Sequence, residues 1–198
     1  MGRMEGTDAA VVAQVLAGDR DAFRVLVERH SRSLFRLAFR MTGNEDDAEE
    51  VVQETFLRAY RNLGRFEQRA NFGTWLYRIG INCAHDLRRS RQKHDEHREL
   101  ERETEEGDAA EITDTLPSSN PEPDRLAFSR EVQAHVTAAM DSLGHLERAA
   151  FVLRHFEGHS IEEIGRMLDL RESATKNNIF RAVQKLRKAL QPVVSSQR

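Results

Sequence analysis

The sequence is poor in the residues that staple or kink a chain. A single cysteine, Cys83, excludes an internal disulfide and fits a reducing compartment. Four prolines, and no sustained alternation of apolar and polar residues, point to an all-helical protein. No stretch approaches the roughly 20 consecutive apolar residues that a membrane span needs. The amino-terminal MGRMEGTDAA carries no apolar run behind its charges, so neither a secretory signal nor membrane insertion is expected. Gly-rich phosphate loops, nucleophile elbows and zincin motifs are missing as well. A cytoplasmic protein is the expectation.

Charge is plentiful: 32% of the 198 residues are charged, for a formal net charge of only −3. That near-balance hides segregation. Between His94 and Ala127, twelve carboxylates from Asp95 to Asp124 face only Arg98, Arg102 and Arg125. From Arg171 onward, Lys176, Arg181, Lys185, Arg187, Lys188 and Arg198 are opposed by Glu172 alone. Such asymmetry suggests a basic surface for a polyanion and a separate acidic segment.

Helical periodicity divides the chain into two blocks. Residues 8–93 are expected to form four helices. Asp8 is a candidate cap for the first, and Phe23, Val27, His30, Leu34, Leu37, Ala38 and Met41 give the second one apolar face. Asn44 caps the third, whose first turn holds Glu45, Asp46 and Asp47 at the positive end of the helix dipole. Asn71 caps the fourth, where Phe72, Trp75, Leu76, Ile79, Cys83 and Leu87 form the core stripe. Residues 94–124 carry too few large apolar side chains to fold alone and are expected to be a flexible acidic linker. Residues 125–194 form the second block. There Ser160 and Glu163 make a capping box, DLR a tight turn, and ESATKNNIFRAVQKLRKAL a basic helix with Ile179, Ala182, Val183, Leu186 and Leu190 facing inward. Short helix, turn and longer polar-nosed helix make a helix-turn-helix.

Catalysis has little support. The carboxylates of EDDAEEVVQE lie on an exposed helix face with no His or Lys to divide acid and base roles. Cys83, His85, His94 and His97 are close in sequence but do not share one side of a helix, so no metal site is expected. Neither a catalytic residue nor a cofactor is expected. Nucleic acid is the better partner. Arg171, Glu172, Ser173, Thr175, Lys176, Asn177 and Asn178 crowd the first turns of the last helix, the part of a recognition helix that enters the major groove. Arg181 and Lys185 suit phosphates. The polar faces of the fourth helix, with Tyr77, Arg78, Asn82, Arg88 and Arg89, and the loop from Phe66 offer stacking and phosphate-binding groups for a single strand.

Four features occur in order: DDAEEVVQETFLRAYRNLGRF, then FGTWLYRIGINCAHDLRR, an acidic linker, and LERAAFVLRHFEGHSIEEIGRML followed by TKNNIFRAVQKLRKAL. With them the chain resembles the bacterial RNA polymerase sigma factors of the sigma-70 family, in particular the small two-domain extracytoplasmic-function (ECF) group. The resemblance implies a four-helix region 2 over 8–93 and a helix-turn-helix region 4 over 125–194, joined by the acidic linker. It implies that Asp47, Glu50, Gln53, Glu54 and Arg58 dock on the clamp helices of core polymerase. Phe66, Glu67, Arg69 and Asn71 correspond to the loop that captures a base flipped from the −10 strand, and Tyr77, Arg78, Asn82, Arg88 and Arg89 to the helix bordering that strand. The helix after Arg171 would read the −35 duplex, and an apolar patch of the second domain would grip the flap tip. An anti-sigma factor packed between the domains is the expected regulator. The chain departs from the family pattern at Arg171, where relatives usually have Ser as the cap, and at Thr175 and Asn178, where Val and Arg are usual. Either the cap shifts to Asp169 or the helix starts late, and the −35 preference is expected to be unusual.

Overall fold

The computed structural model describes residues 6–66, 71–104 and 135–195; for 95–104 and 192–195 it describes the backbone course alone. Eight α-helices follow one another among these residues: α1 (Asp8–Leu16), α2 (Phe23–Thr42), α3 (Glu45–Arg61), α4 (Phe72–Thr104), α5 (135–141), α6 (His145–His155), α7 (Ile161–Leu168) and α8 (Glu172–Ser195). Among the described residues there is no strand, and no helix is long and apolar enough to cross a membrane.

Helices α1 to α4 form the first unit. Thr7, not Asp8, caps α1: its extended backbone lets the hydroxyl accept from Ala10 N–H. Asp8 is instead spent on tertiary contacts, to His30 at 2.7 Å and Arg29 at 3.0 Å, tying α1 to α2. Gly43, in the left-handed region, ends α2, and Asn44 starts α3 by accepting from the Asp47 N–H at 2.8 Å. The core joins Leu26, Leu34, Leu37 and Met41 of α2 to Val51 and Phe56 of α3 and Phe72, Leu76 and Ile81 of α4. Helix α4 crosses α2 closely at Gly80, where a Cβ would lie 2.8 Å from Leu34 Cδ1. It also runs past residue 93 to Thr104, into the segment expected to be linker. The strong helix formers Glu, Arg and Leu that dominate this stretch carry it onward.

Helices α5 to α8 form the second unit. Ser160 and Glu163 exchange hydrogen bonds of 3.2 and 2.8 Å, the capping box that opens α7. Asp169, at φ 57°, closes α7 in the left-handed region, and Leu170 N–H bonds back to the Gly165 carbonyl at 2.9 Å. The chain then turns into α8, whose first bond runs from Thr175 N–H to the Arg171 carbonyl. Arg171 therefore sits at the cap position, with neither Asp169 as cap nor a delayed start. Val183, expected inward, is 37% exposed.

The two units pack together. Helix α6 lies on α2 and α7 on α4, and Ala149, Ala150, Val152, Leu153, Ile164 and Met167 join one core with the first unit. Arg148 crosses this junction, fully buried, to donate to the Met41 carbonyl at the end of α2 at 2.8 Å. His85 of α4 stacks on His145 of α6 with ring centroids 3.9 Å apart.

Two stability tests follow from these contacts. A Cβ at position 165 would come 2.9 Å from the Leu170 carbonyl, which is backbone and cannot swing away. Gly165→Ala should cost about 1–3 kcal/mol through overpacking, where an exposed helical Gly→Ala would stabilise; urea denaturation decides. Burial, then the neighbouring His85, pushes the His145 imidazole down to about 4. The unfolded chain takes up this proton near pH 6.5 and the native state refuses it until about pH 4, so stability falls as pH drops across that window. Urea midpoints measured across it should decline less steeply for His145→Gln than for the unaltered chain.

Candidate nucleic-acid interface

Three surfaces carry the residues singled out in the sequence. The first is on α3. Glu50 and Gln53 are exposed, Glu54 and Arg58 half-buried, and all four border a groove of about 360 Å³ between α3 and α4, floored by Val51, Cys83 and Leu87. Arg58 donates to Glu54 at 2.6 Å and to Asp86 at 2.9 Å; these two carboxylates, Asp86 foremost, fix its guanidinium in the charged form. Leu57, half exposed in the same groove, was not among the expected residues. Its position, one turn beyond Gln53, was the available signal. Asp47 does not belong to this face. It is buried at 3%, accepts from Asn44 Nδ2 at 2.8 Å, and pairs with Arg91 of α4. Its place in the first turn of α3 turns it toward α4, so its carboxylate holds two helices together instead of meeting a partner.

The second surface is on α4. Asn71 caps the helix, its side chain accepting from Thr74 N–H at 2.7 Å. Phe66 packs into an aromatic cluster with Phe72 and Trp75, at centroid distances of 5.8 and 5.1 Å, beside the mouth of the preceding loop. Glu67 and Arg69, in that loop, lie outside the described residues. Arg78, Asn82 and Arg89 are exposed and recur at helical spacing, one strip along α4. Tyr77 is not on it. The second unit covers Tyr77: its hydroxyl donates to Glu157 at 3.4 Å, its ring meets His159 edge-on, and burial raises its pKa. Arg88 is likewise engaged, with Asp141 at 3.2 Å and the Met41 carbonyl at 3.3 Å.

The third surface is the outward face of α8. Arg171, Glu172, Ser173, Lys176, Asn177 and Arg181 are exposed. Two expected members face elsewhere. Thr175 is fully buried, donates to the Arg171 carbonyl at 3.1 Å and packs toward Gly165, because the close α7–α8 crossing needs a small side chain there. Lys185 lies nearly three turns further along, where α8 passes the start of α6, and pairs with Glu147 at 2.6 Å. Burial alone would raise the Glu147 carboxyl, but Lys185 and the Gly144 N–H outweigh it and hold it below its usual value. Asn178 is half-buried and donates to the Ala174 carbonyl at 2.9 Å. Phe180, 63% exposed on the outward face, went unnoticed in the sequence because an aromatic at helical spacing usually marks core. Among the described residues no cluster of three or more His, Cys, Asp or Glu could hold a metal ion.

A helical unit with an acid-edged groove and a basic strip, packed against a helix-turn-helix with an exposed polar nose, defines a DNA-binding transcription factor. Comparison with known proteins narrows the class. Residues 26–94 match the family model described as Sigma-70 region 2, and residues 135–186 the one described as Sigma-70, region 4. The chain is 36% identical over 190 residues to the RNA polymerase sigma-H factor of Pseudomonas aeruginosa, covering 94% of this chain and 95% of that one. It is 32% identical over 179 residues to the ECF sigma factor SigW of Bacillus subtilis, covering 90% and 94%. Its fold resembles that of CnrH in complex with the cytosolic domain of CnrY, with a TM-score of 0.64 at 28% identity over 94% of this chain and 99% of that one. It also resembles RpoE from Bartonella quintana in complex with the anti-sigma factor NepR, with a TM-score of 0.56 at 22% identity over 85% and 96%. The chain belongs to the sigma-70 family of RNA polymerase sigma factors, in its ECF group. It is a promoter-specific transcription initiation factor, a class that works by binding and not by catalysis.

The buried position of Asp47 predicts a split between two neighbouring acids. Asp47→Ala should destabilise the first unit by about 1–3 kcal/mol, the cost of a lost helix cap partner and an unpaired arginine. Glu50→Ala, on the exposed face, should stay within about 0.5 kcal/mol of the unaltered chain. Thermal melts of both variants check this.

Proposed function

We propose that the three surfaces divide the work of initiation. The α3 groove, with Glu50, Gln53, Glu54, Leu57 and Arg58, docks on the clamp helices of core polymerase. An apolar residue ringed by carboxylates and an arginine suits a protein partner better than nucleic acid. The α4 strip of Arg78, Asn82 and Arg89, with Asn71 and the Phe66 cluster, takes the melted −10 strand. Guanidinium groups contact its phosphates while an extruded base stacks on an aromatic wall. Unstacking costs about a few kcal/mol per base step, and stacking of a captured base returns about 1–3 kcal/mol. The outward face of α8 enters the −35 major groove. Ser173, Lys176 and Asn177 reach base edges, Phe180 offers apolar contact to a thymine methyl, and Arg181 holds a phosphate.

The observation that carries this reading is the separation of surfaces by chemistry on one small chain: acid and leucine on α3, arginine and asparagine on α4, a polar helix nose on α8. A regulator that packs across both units fits the same chain. Between them lies an apolar cleft of about 380 Å³ lined by Phe39, Met140, Phe151, Phe156, Leu186 and Leu190, of the kind an anti-sigma segment or the polymerase flap tip would fill.

Run-off transcription with added core polymerase tests the whole proposal, with promoter-specific product as the expected result; no product above core alone rejects it. Within that assay, Arg89→Ala and Asn82→Ala should lower open-complex formation severalfold, read by permanganate reactivity of the −10 strand, with polymerase affinity unchanged. Leu57→Asp should instead weaken polymerase binding itself.

A further inference from the structure

The Asp8–His30 pair belongs to none of the three surfaces, yet it abuts one of them. The Asp8 carboxylate accepts from His30 Nε2 at 2.7 Å, and its other oxygen pairs with Arg29 at 3.0 Å. An ionised carboxylate only accepts, so Nε2 carries the ring hydrogen and the imidazole is held in one orientation. The far edge of that ring lies against the first turn of α4. A Cβ at Gly73 would stand 3.5 Å from His30 Cε1, 3.7 Å from its Nδ1 and 3.6 Å from Asn71 Oδ1. With no side chain at 73, nothing separates the ring from this turn. The ring also tilts 55° against Phe72 with centroids 5.3 Å apart, and Phe72 meets both Phe66 and Trp75 at 5.8 Å. His30 thus adjoins both parts of the proposed capture site, the aromatic wall through Phe72 and the Asn71 cap through Gly73.

We infer that Asp8 and His30 are positioning residues for base capture: the carboxylate of α1 fixes the imidazole of α2, and the imidazole sets the first turn of α4, against which the extruded base stacks. This rests on the strand-binding role proposed for Asn71 and the Phe66 cluster. Neither residue contacts DNA; both act through Phe72 and Asn71. A base gains by stacking only where the wall already stands in place, because ordering the wall at that moment would offset the gain. An apolar ring would fill the space beside Phe72 equally well, whereas the imidazole adds a fixed orientation. The bond is well placed to last, since the His30 and Asp8 side chains are only 18% and 27% exposed. Arg29, which also donates to the Gly6 carbonyl at 2.7 Å, keeps the carboxylate from turning away.

The test uses the full chain with core polymerase and a promoter library randomised over the −35 and −10 elements, whose transcripts are sequenced. The unaltered factor gives a base-preference profile at both elements. Asp8→Ala removes the anchor of the ring, and His30→Phe keeps an aromatic ring beside Phe72 that cannot donate to Asp8. Each should weaken base preference at −10 positions about threefold or more and leave the −35 profile unaltered. Asp8→Asn keeps an oxygen that accepts from Nε2 and should restore most of the preference. Asp8 lies in the first turn of α1, so Asp8→Ala carries the test where His30→Phe fails to fold. A lower yield from every sequence with both profiles intact, the mark of lost stability or polymerase binding, overturns positioning. An Asp8→Asn profile as flat as that of Asp8→Ala overturns the hydrogen bond as its cause. Asn71→Ala judges the underlying reading separately. If it flattens the −10 profile while Asp8→Ala and His30→Phe do not, base capture stands and the Asp8–His30 pair is scaffold. If Asn71→Ala leaves the profile intact as well, base capture at this end of α4 falls with it.

Discussion

One buried guanidinium fastens the two halves of this molecule. Arg148 leaves α6 with its side chain almost wholly out of solvent, and each arm of its fork finds an oxygen: Met41 carbonyl at 2.8 Å, Met140 carbonyl at 3.1 Å, Asp141 carboxylate at 2.7 Å. Met41 lies in the last turn of α2, where carbonyls lack helical partners and the dipole is negative. A buried charge is tolerable only when its donors are met, and breaking such a set costs about 3–5 kcal/mol. The position of α6 against α2 is therefore over-determined. Because α7 and α8 are held on α6 by the shared core and by the Glu147–Lys185 pair, the whole helix-turn-helix inherits that position.

Given this anchor, the remaining inter-unit contacts are of a softer kind. Arg78 with Asp169 and the stacked imidazoles of His85 and His145 lie around the anchor at partly exposed positions, while Arg40 reaches a Glu157 side chain only 7% exposed. Their strength depends on salt and pH, whereas the anchor and its apolar surround depend on geometry. A junction built this way has a firm centre and an adjustable edge, and the edge is where the proposed strand-binding helix lies.

Local chemistry was legible in the residues. Asn44 and Asn71 announce the starts of α3 and α4, and Ser160 with Glu163 announces α7, because a cap acts within one turn of itself. The helix-turn-helix and the exposed strip of Arg78, Asn82 and Arg89 follow from the same short-range periodicity. What periodicity could not supply was which neighbour covers a given face. Asp47 and Thr175 look solvent-facing in a one-helix view, yet each is closed over by a helix from elsewhere in the chain. Tyr77 is buried by residues some eighty positions away. Leu57 and Phe180 show the opposite failure: both have apolar side chains, and both stay exposed because no neighbouring helix among the described residues covers them.

The aromatic wall beside the α4 loop has a practical meaning. Trp75 is the only tryptophan in the chain, half-buried with its ring 5.1 Å from Phe66 and 5.8 Å from Phe72. Any base that stacks there, or any shift of the loop that begins at Phe66, changes the polarity and quenching around that one indole. The molecule thus carries an intrinsic optical reporter at its proposed melting site, able to time strand capture without a label.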